Sequence, residues 1–147
     1  MRYKIYPYVG VGLIRFGMTR EQVREAVQCD ASPFSKTLSS KEPADGFDPL
    51  GMSVYYKPPG LCVAVEFWDP TLSPILHNKA LLDQPFEEVR HWLCELDPNL
   101  TCTVGGVISF KFGVGITENV DLHGHPESVI VFETGYYDEL QAASSLD

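Results

Sequence analysis

Apolar positions along the 147-residue chain fall into two spacings. Val23, Ala26 and Val27 recur at i, i+3 and i+4, while Arg20, Arg24 and Glu25 fall off that stripe, so a helix with one face against a core is predicted. Thr19 stands at its N-cap and Gln22, three residues on, completes a capping box; Glu21 sits at the positive end of the helix dipole. A second helix is predicted after Asp83. Pro85, Glu87 and Glu88 suit its first turn, Phe86, Val89, Leu93 and Leu96 repeat in steps of three and four, and Trp92 widens the stripe. Asp97-Pro98-Asn99 stops it.

The other spacing is period two or a short continuous apolar run. Residues 2–6 alternate and predict a short edge strand ended by Pro7, followed by a turn-rich approach through Gly10, Gly12 and Gly17. Residues 50–56 and 61–67 flank Lys57-Pro58-Pro59-Gly60 and predict an antiparallel hairpin. Residues 75–82 read as one strand, residues 104–117 are strand-rich with Ile108, Phe110 and Phe112 alternating with Ser109 and Lys111, and residues 129–132 form the last strand. The stretch from Asp30 to Asp48 is rich in turn formers; residues 34–38 suit a short helix or a loop equally, and Glu42, Asp45 and Asp48 at its end are expected to be exposed. After Gly135 one helical turn and a flexible C-terminal tail are expected.

The helix signal returns. With residues 18–67 laid beside residues 84–133, Val23-Arg24 falls on Val89-Arg90, Val27 on Leu93, and Val63-Ala64-Val65 on Val129-Ile130-Val131. The expected fold is therefore α+β: one domain over residues 1–147, built from pseudo-repeats at about 9–76 and 77–140. Two helix-plus-antiparallel-sheet units would join into one sheet with the helices packed on one face.

Gly17-Met18-Thr19-Arg20-Glu21-Gln22-Val23 resembles the segment that opens the helix in the SmpA/OmlA family, the BamE-like lipoproteins of outer-membrane assembly. A tandem pair of such units resembles the arrangement in the β-lactamase inhibitor proteins. The likeness covers about a dozen residues closely and implies a helix-plus-sheet scaffold used for protein binding; it implies no activity. No residues match the inhibitors' contact loops, and no apolar leader or lipid-accepting cysteine stands at the start of the chain.

Charge narrows the functional classes. The net charge of -9 is uneven: residues 1–41 hold seven Lys or Arg against three Asp or Glu, residues 42–96 three against nine, and residues 97–147 one against eight. Outside its basic N-terminal part such a chain is expected to repel nucleic acid, and it suits a basic partner. No apolar run is long enough to span a bilayer, and a cytoplasmic location is expected. Cys29, Cys62, Cys94 and Cys102 form no C-x-x-C pair and are expected to be mostly buried free thiols; export would allow one or two disulfides.

Few groups suggest chemistry. Val9-Gly10-Val11-Gly12 lacks the third glycine of a dinucleotide cradle. His123 and His125 near Asp121 sit in a Gly/Pro loop, where a fixed metal geometry is not expected. His91 and Cys94 are spaced i, i+3 with nothing to activate the thiol, and Glu87-Glu88 point apart on a helix. The aromatic–acidic ends are more informative: Trp68-Asp69 after one strand and Tyr136-Tyr137-Asp138-Glu139 after the last occupy equivalent places in the repeat. Rings beside carboxylates suit a protein interface. No catalytic residue, cofactor or metal is expected. The expectation is a non-enzymatic acidic protein-binding module, a bacterial immunity or inhibitor protein neutralising a basic toxin or enzyme, with Glu42, Asp45, Asp48, Trp68, Asp69, Tyr136, Tyr137, Asp138 and Glu139 as partner contacts. The alternatives are a small ligand-binding protein or enzyme with a pocket between sheet and helices, and an envelope-assembly module.

Overall fold

Thr19 caps the first helix. In the computed structural model, which describes residues 3–35, 42–122 and 124–137, helix α1 spans Arg20–Val27. The Thr19 hydroxyl accepts from the Gln22 amide at 3.2 Å, and the Gln22 side chain accepts from the Thr19 amide at 2.9 Å. The helix buries Val23 and Val27, and Gln28 ends it in the left-handed region. Helix α2, Phe86–Leu96, buries Phe86, Val89 and Leu93. Its C-cap Asp97 is buried, because Ser109 Oγ and the Asn99 amide donate to its carboxylate at 2.8 and 3.1 Å.

The chain begins with a three-stranded antiparallel sheet, β1 (Ile5–Tyr6), β2 (Gly10–Val11) and β3 (Ile14–Arg15); the edge strand expected within residues 2–6 is β1, while β2 and β3 stand where the glycine-rich sequence suggests turns. Gly10 is required there: a Cβ would come within 2.1 Å of the Ile14 carbonyl oxygen. After α1 follow β4 (Ser32–Phe34), β5 (Ala44–Phe47), β6 (Met52–Lys57) and β7 (Leu61–Phe67). A separate small hairpin has strands β8 (Ile75–Leu76) and β9 (Lys79–Ala80). After α2 come β10 (Thr101–Thr103), β11 (Gly106–Ser109), β12 (Val114–Glu118) and β13 (Pro126–Phe132).

Eight of these strands form one antiparallel sheet in the order β10-β11-β12-β13-β7-β6-β5-β4. The centre is the β7–β13 ladder, which pairs Phe67 with Val129 and Ala64 with Phe132. The α+β class and the antiparallel pairing agree with the sequence. The organisation differs from it: one large sheet runs without interruption through both halves, in place of two repeats with helices packed on one face. Two helices are too little cover for eight strands. The N-terminal sheet supplies the rest, since Tyr3, Ile5, Val11 and Ile14 enter the same core as Val23, Val27, Phe86, Val89 and Leu93.

Period two divides the sheet residues between two clusters. Met52, Val54, Val65, Phe67, Val114, Ile116, Val129 and Val131 join that main core, while Ala44, Tyr55, Ala64, Ile108 and Phe132 form a second cluster. A register shift at Tyr55/Tyr56 pairs Tyr55 with Ala64 and Tyr56 with Cys62, skipping Val63, so Val63 and Ala64 both enter the second cluster.

Two local expectations are corrected, and a third falls largely outside the described residues. Residues 75–82 are two short strands, because His77 and Asn78 take positive φ and turn the chain between them. Ser32–Phe34 is an edge strand; the rest of the undecided 34–38 stretch, residues 36–38, falls outside the described residues, as does the tail from residue 138. Only Cys62 among the cysteines is buried: Cys29 is half-buried, and Cys94 and Cys102 are exposed. No helix among the described residues is long and apolar enough to cross a membrane.

Candidate functional site

The acidic segment was expected at the surface. Instead Asp45 is fully buried on β5 and binds α1 to the sheet. Arg24 donates to its two oxygens from Nε at 3.0 Å and Nη2 at 2.8 Å, the Tyr56 hydroxyl donates at 2.8 Å, and Arg20 lies 3.7 Å away. Asp45 is thus a structural hub, and no partner can reach it. Alternation explains the placement: Asp45 pairs with Val54 across the ladder and faces the helices with it. Glu42 is half-buried against Arg20 at 3.1 Å. Asp48 is exposed, at the start of a short 3-10 turn.

The two aromatic–acidic ends do not meet. β7 and β13 are antiparallel, so Trp68, just beyond Phe67, and Tyr136, four residues beyond Phe132, emerge at opposite ends of the ladder. Asp138 and Glu139 lie outside the described residues.

At the tyrosine end the rings interlock. Tyr136 and Tyr137 pack on Phe132 with centroids 6.0 and 4.9 Å away, and Tyr8 and Phe110 reach the same ring at 6.1 Å. The Tyr8 hydroxyl donates to the Phe110 carbonyl. Both expected contact tyrosines are therefore partly buried anchors of the second cluster. Burial, and then the Glu66 carboxylate, push the Tyr136 phenol up to about 12. Beside them is a cleft of about 590 Å³ between Tyr55, Tyr56, Val63, Tyr136, Glu42 and Glu133. Its carboxylates are already matched, Glu42 with Arg20 and Glu133 with Lys57 at 3.1 Å, and the lining Tyr55 donates its hydroxyl to Glu66 at 2.5 Å.

At the tryptophan end the pattern reverses. Phe67 is buried, while Trp68 is 40 % exposed. Asp69 accepts from the Thr71 amide at 3.0 Å and from the Thr71 hydroxyl at 2.9 Å, which holds its carboxyl below the usual range. Trp68 borders a cleft of about 680 Å³ whose other walls are Leu82, Pro85, Leu122, His125 and Pro126, with Asp83 and Glu127 on its surface. Asp83, Glu127 and Leu122 were not singled out in the sequence. A usable signal was present in Val120 and Leu122, two branched aliphatic residues inside a polar loop after Asn119.

No group of three or more His, Cys, Asp and Glu side chains among the described residues could hold a metal ion, and His123 is outside them. His91 contacts Glu95 at 3.2 Å, one turn along the same exposed helix face. Burial pushes the Cys62 thiol up to about 12, away from a reactive thiolate. No family model, no curated protein and no solved structure matches the chain.

Proposed function

We propose that this is a non-enzymatic, acidic protein-binding module of the immunity or inhibitor type, which neutralises a basic toxin or enzyme. The observation that carries the proposal is an asymmetry in how charges are used. Every described lysine and arginine is engaged within the chain: Lys4 stands over Tyr6, Arg15 donates to two carbonyls, Arg20 and Arg24 serve Glu42 and Asp45, and Lys57, Lys79 and Arg90 pair with Glu133, Glu88 and Glu87. Lys111 donates to the Leu96 carbonyl. By contrast Glu21, Glu25, Asp30, Asp48, Asp83, Asp121 and Glu127 make no ion pair among the described residues. The field directed outward is therefore anionic, and it steers and holds a cationic surface without contributing chemistry.

A BamE-like, tandem ancestry belongs to the same proposal. What supports it is chain order: in each half one helix precedes four strands in meander order, and the strand sequence inward from either edge is alike. Co-expression with toxins encoded beside it should give protection and a complex that salt dissociates; the absence of both would sink the proposal. A small-ligand function is favoured only by the tyrosine-lined cleft, and a bound small molecule in the purified protein would support it.

A further inference from the structure

We infer that the Trp68 cleft is the docking surface, and that it takes an arginine side chain from a basic protein. This rests on the protein-binding proposal and names its place and its chemistry. The cleft offers what a guanidinium needs. The partly exposed Trp68 indole supplies an aromatic face, Pro85 and Leu122 add apolar surface beside it, and the carboxylates of Asp83 and Glu127 lie at the surface. Among the described residues no lysine or arginine lines it and neither carboxylate has an ion pair. The charge complementarity therefore points to a cation. A planar, weakly hydrated guanidinium can stack on indole and fork onto a carboxylate, which an ammonium cannot do.

Hydrogen bonds hold the described residues on either side of His123 in the wall beside Trp68. Asn119 Oδ1 accepts from the amides of Asp121 and Leu122, each at 2.9 Å. Glu118 accepts from the Gly124 amide at 2.8 Å, and the Gly124 carbonyl accepts from Phe86 at the head of α2 at 2.9 Å. A loop held at both ends loses little freedom on binding. It also holds Leu122 at 61 % and Val120 at 75 % exposure. Exposed aliphatic side chains on the cleft wall and beside it in sequence suit a protein surface more than a lone amino acid, so the occupant is a protein surface carrying the arginine.

The test uses the full chain with Trp92→Phe, which leaves Trp68 as the only indole of two. Tetra-arginine peptide is titrated while Trp68 emission and calorimetric heat are followed, with tetra-lysine as comparison. Saturable perturbation of Trp68 is expected, with tighter binding of tetra-arginine than of tetra-lysine. Asp83→Asn with Glu127→Gln should weaken binding by about tenfold or more, as loss of close charge partners does. Both positions are exposed, so the variant chain folds, and a thermal melt checks it. Heat of binding with a silent Trp68, equal affinity for the two peptides, or equal affinity in the double variant overturns this surface and leaves the acidic-module proposal standing. No heat at low salt overturns both.

Discussion

The two ends of the β7–β13 ladder begin from similar sequence and reach opposite states. Each has an aromatic residue followed by carboxylates just past a central strand. At the tyrosine end the rings close on Phe132, and the neighbouring carboxylates are taken by Arg20, Lys57 and a phenol. At the tryptophan end one ring is buried and the next exposed, and Asp83 and Glu127 have no ion pair among the described residues. The difference teaches that an aromatic–acidic pattern is ambiguous until its counter-charges are placed. With cations near, it stabilises the fold; without them, it is available to a partner.

The largest expected effect lies at the tyrosine end. Phe132→Ala removes the ring on which Tyr8, Phe110, Tyr136 and Tyr137 converge and should cost about 3–5 kcal/mol in urea unfolding. Asp45→Ala comes next. It leaves the Tyr56 hydroxyl and Arg24 without their acceptor, and since Arg24 is 38 % exposed and can turn to water, the cost should be about 2–4 kcal/mol. A loss below about 1 kcal/mol at both positions would break the contrast, because the tyrosine end would then not be the stabilising one.

An intermediate effect comes from proton linkage. Burial first, and then the hydrogen bonds to Glu66 and Asp45, raise the phenols of Tyr55 and Tyr56. Their folded pKa values are above the unfolded ones, so the folded state holds these protons more tightly. That stability is complete below the unfolded value of about 10 and is lost as pH rises beyond it. Cys62, raised from 9.0 to about 12, adds an earlier onset. The melting temperature should therefore fall from about pH 9 upward and more steeply above about pH 10. Tyr56→Phe should lower stability by about 1–2 kcal/mol at neutral pH and flatten the alkaline fall. An unchanged slope would mean that Tyr56 does not carry it.

How far the sequence reached depends on the range of each interaction. The Thr19–Gln22 capping box, the start of α2 and the β6–β7 hairpin are local, and their residues specify them without help. Asp45 was misplaced because its partner Arg24 is 21 residues away on α1, where an off-stripe arginine looks like a solvated one. The same limit applies to Trp68. Its cleft is assembled from the β7 end, the head of α2 and the loop residues Asn119, Leu122, Gly124 and His125, and no spacing rule connects these three. Cys94 looked apolar by type, yet it projects from the exposed side of α2.

The smallest expected change in stability is at Trp68, and it separates the two ends most cleanly. Trp68→Ala removes a ring that is already 40 % exposed and that lines a cleft instead of the core. Surface substitutions away from buried features usually move stability by no more than about 0.5 kcal/mol, so urea unfolding should barely register it. Tetra-arginine binding should nevertheless drop by about tenfold or more, because truncating an anchor aromatic removes most of what an interface gains there. Urea unfolding and isothermal titration on the same preparation measure both properties of one molecule. A loss of several kcal/mol in stability would place Trp68 with Phe132 as a structural ring, and the two ends would then differ only in degree.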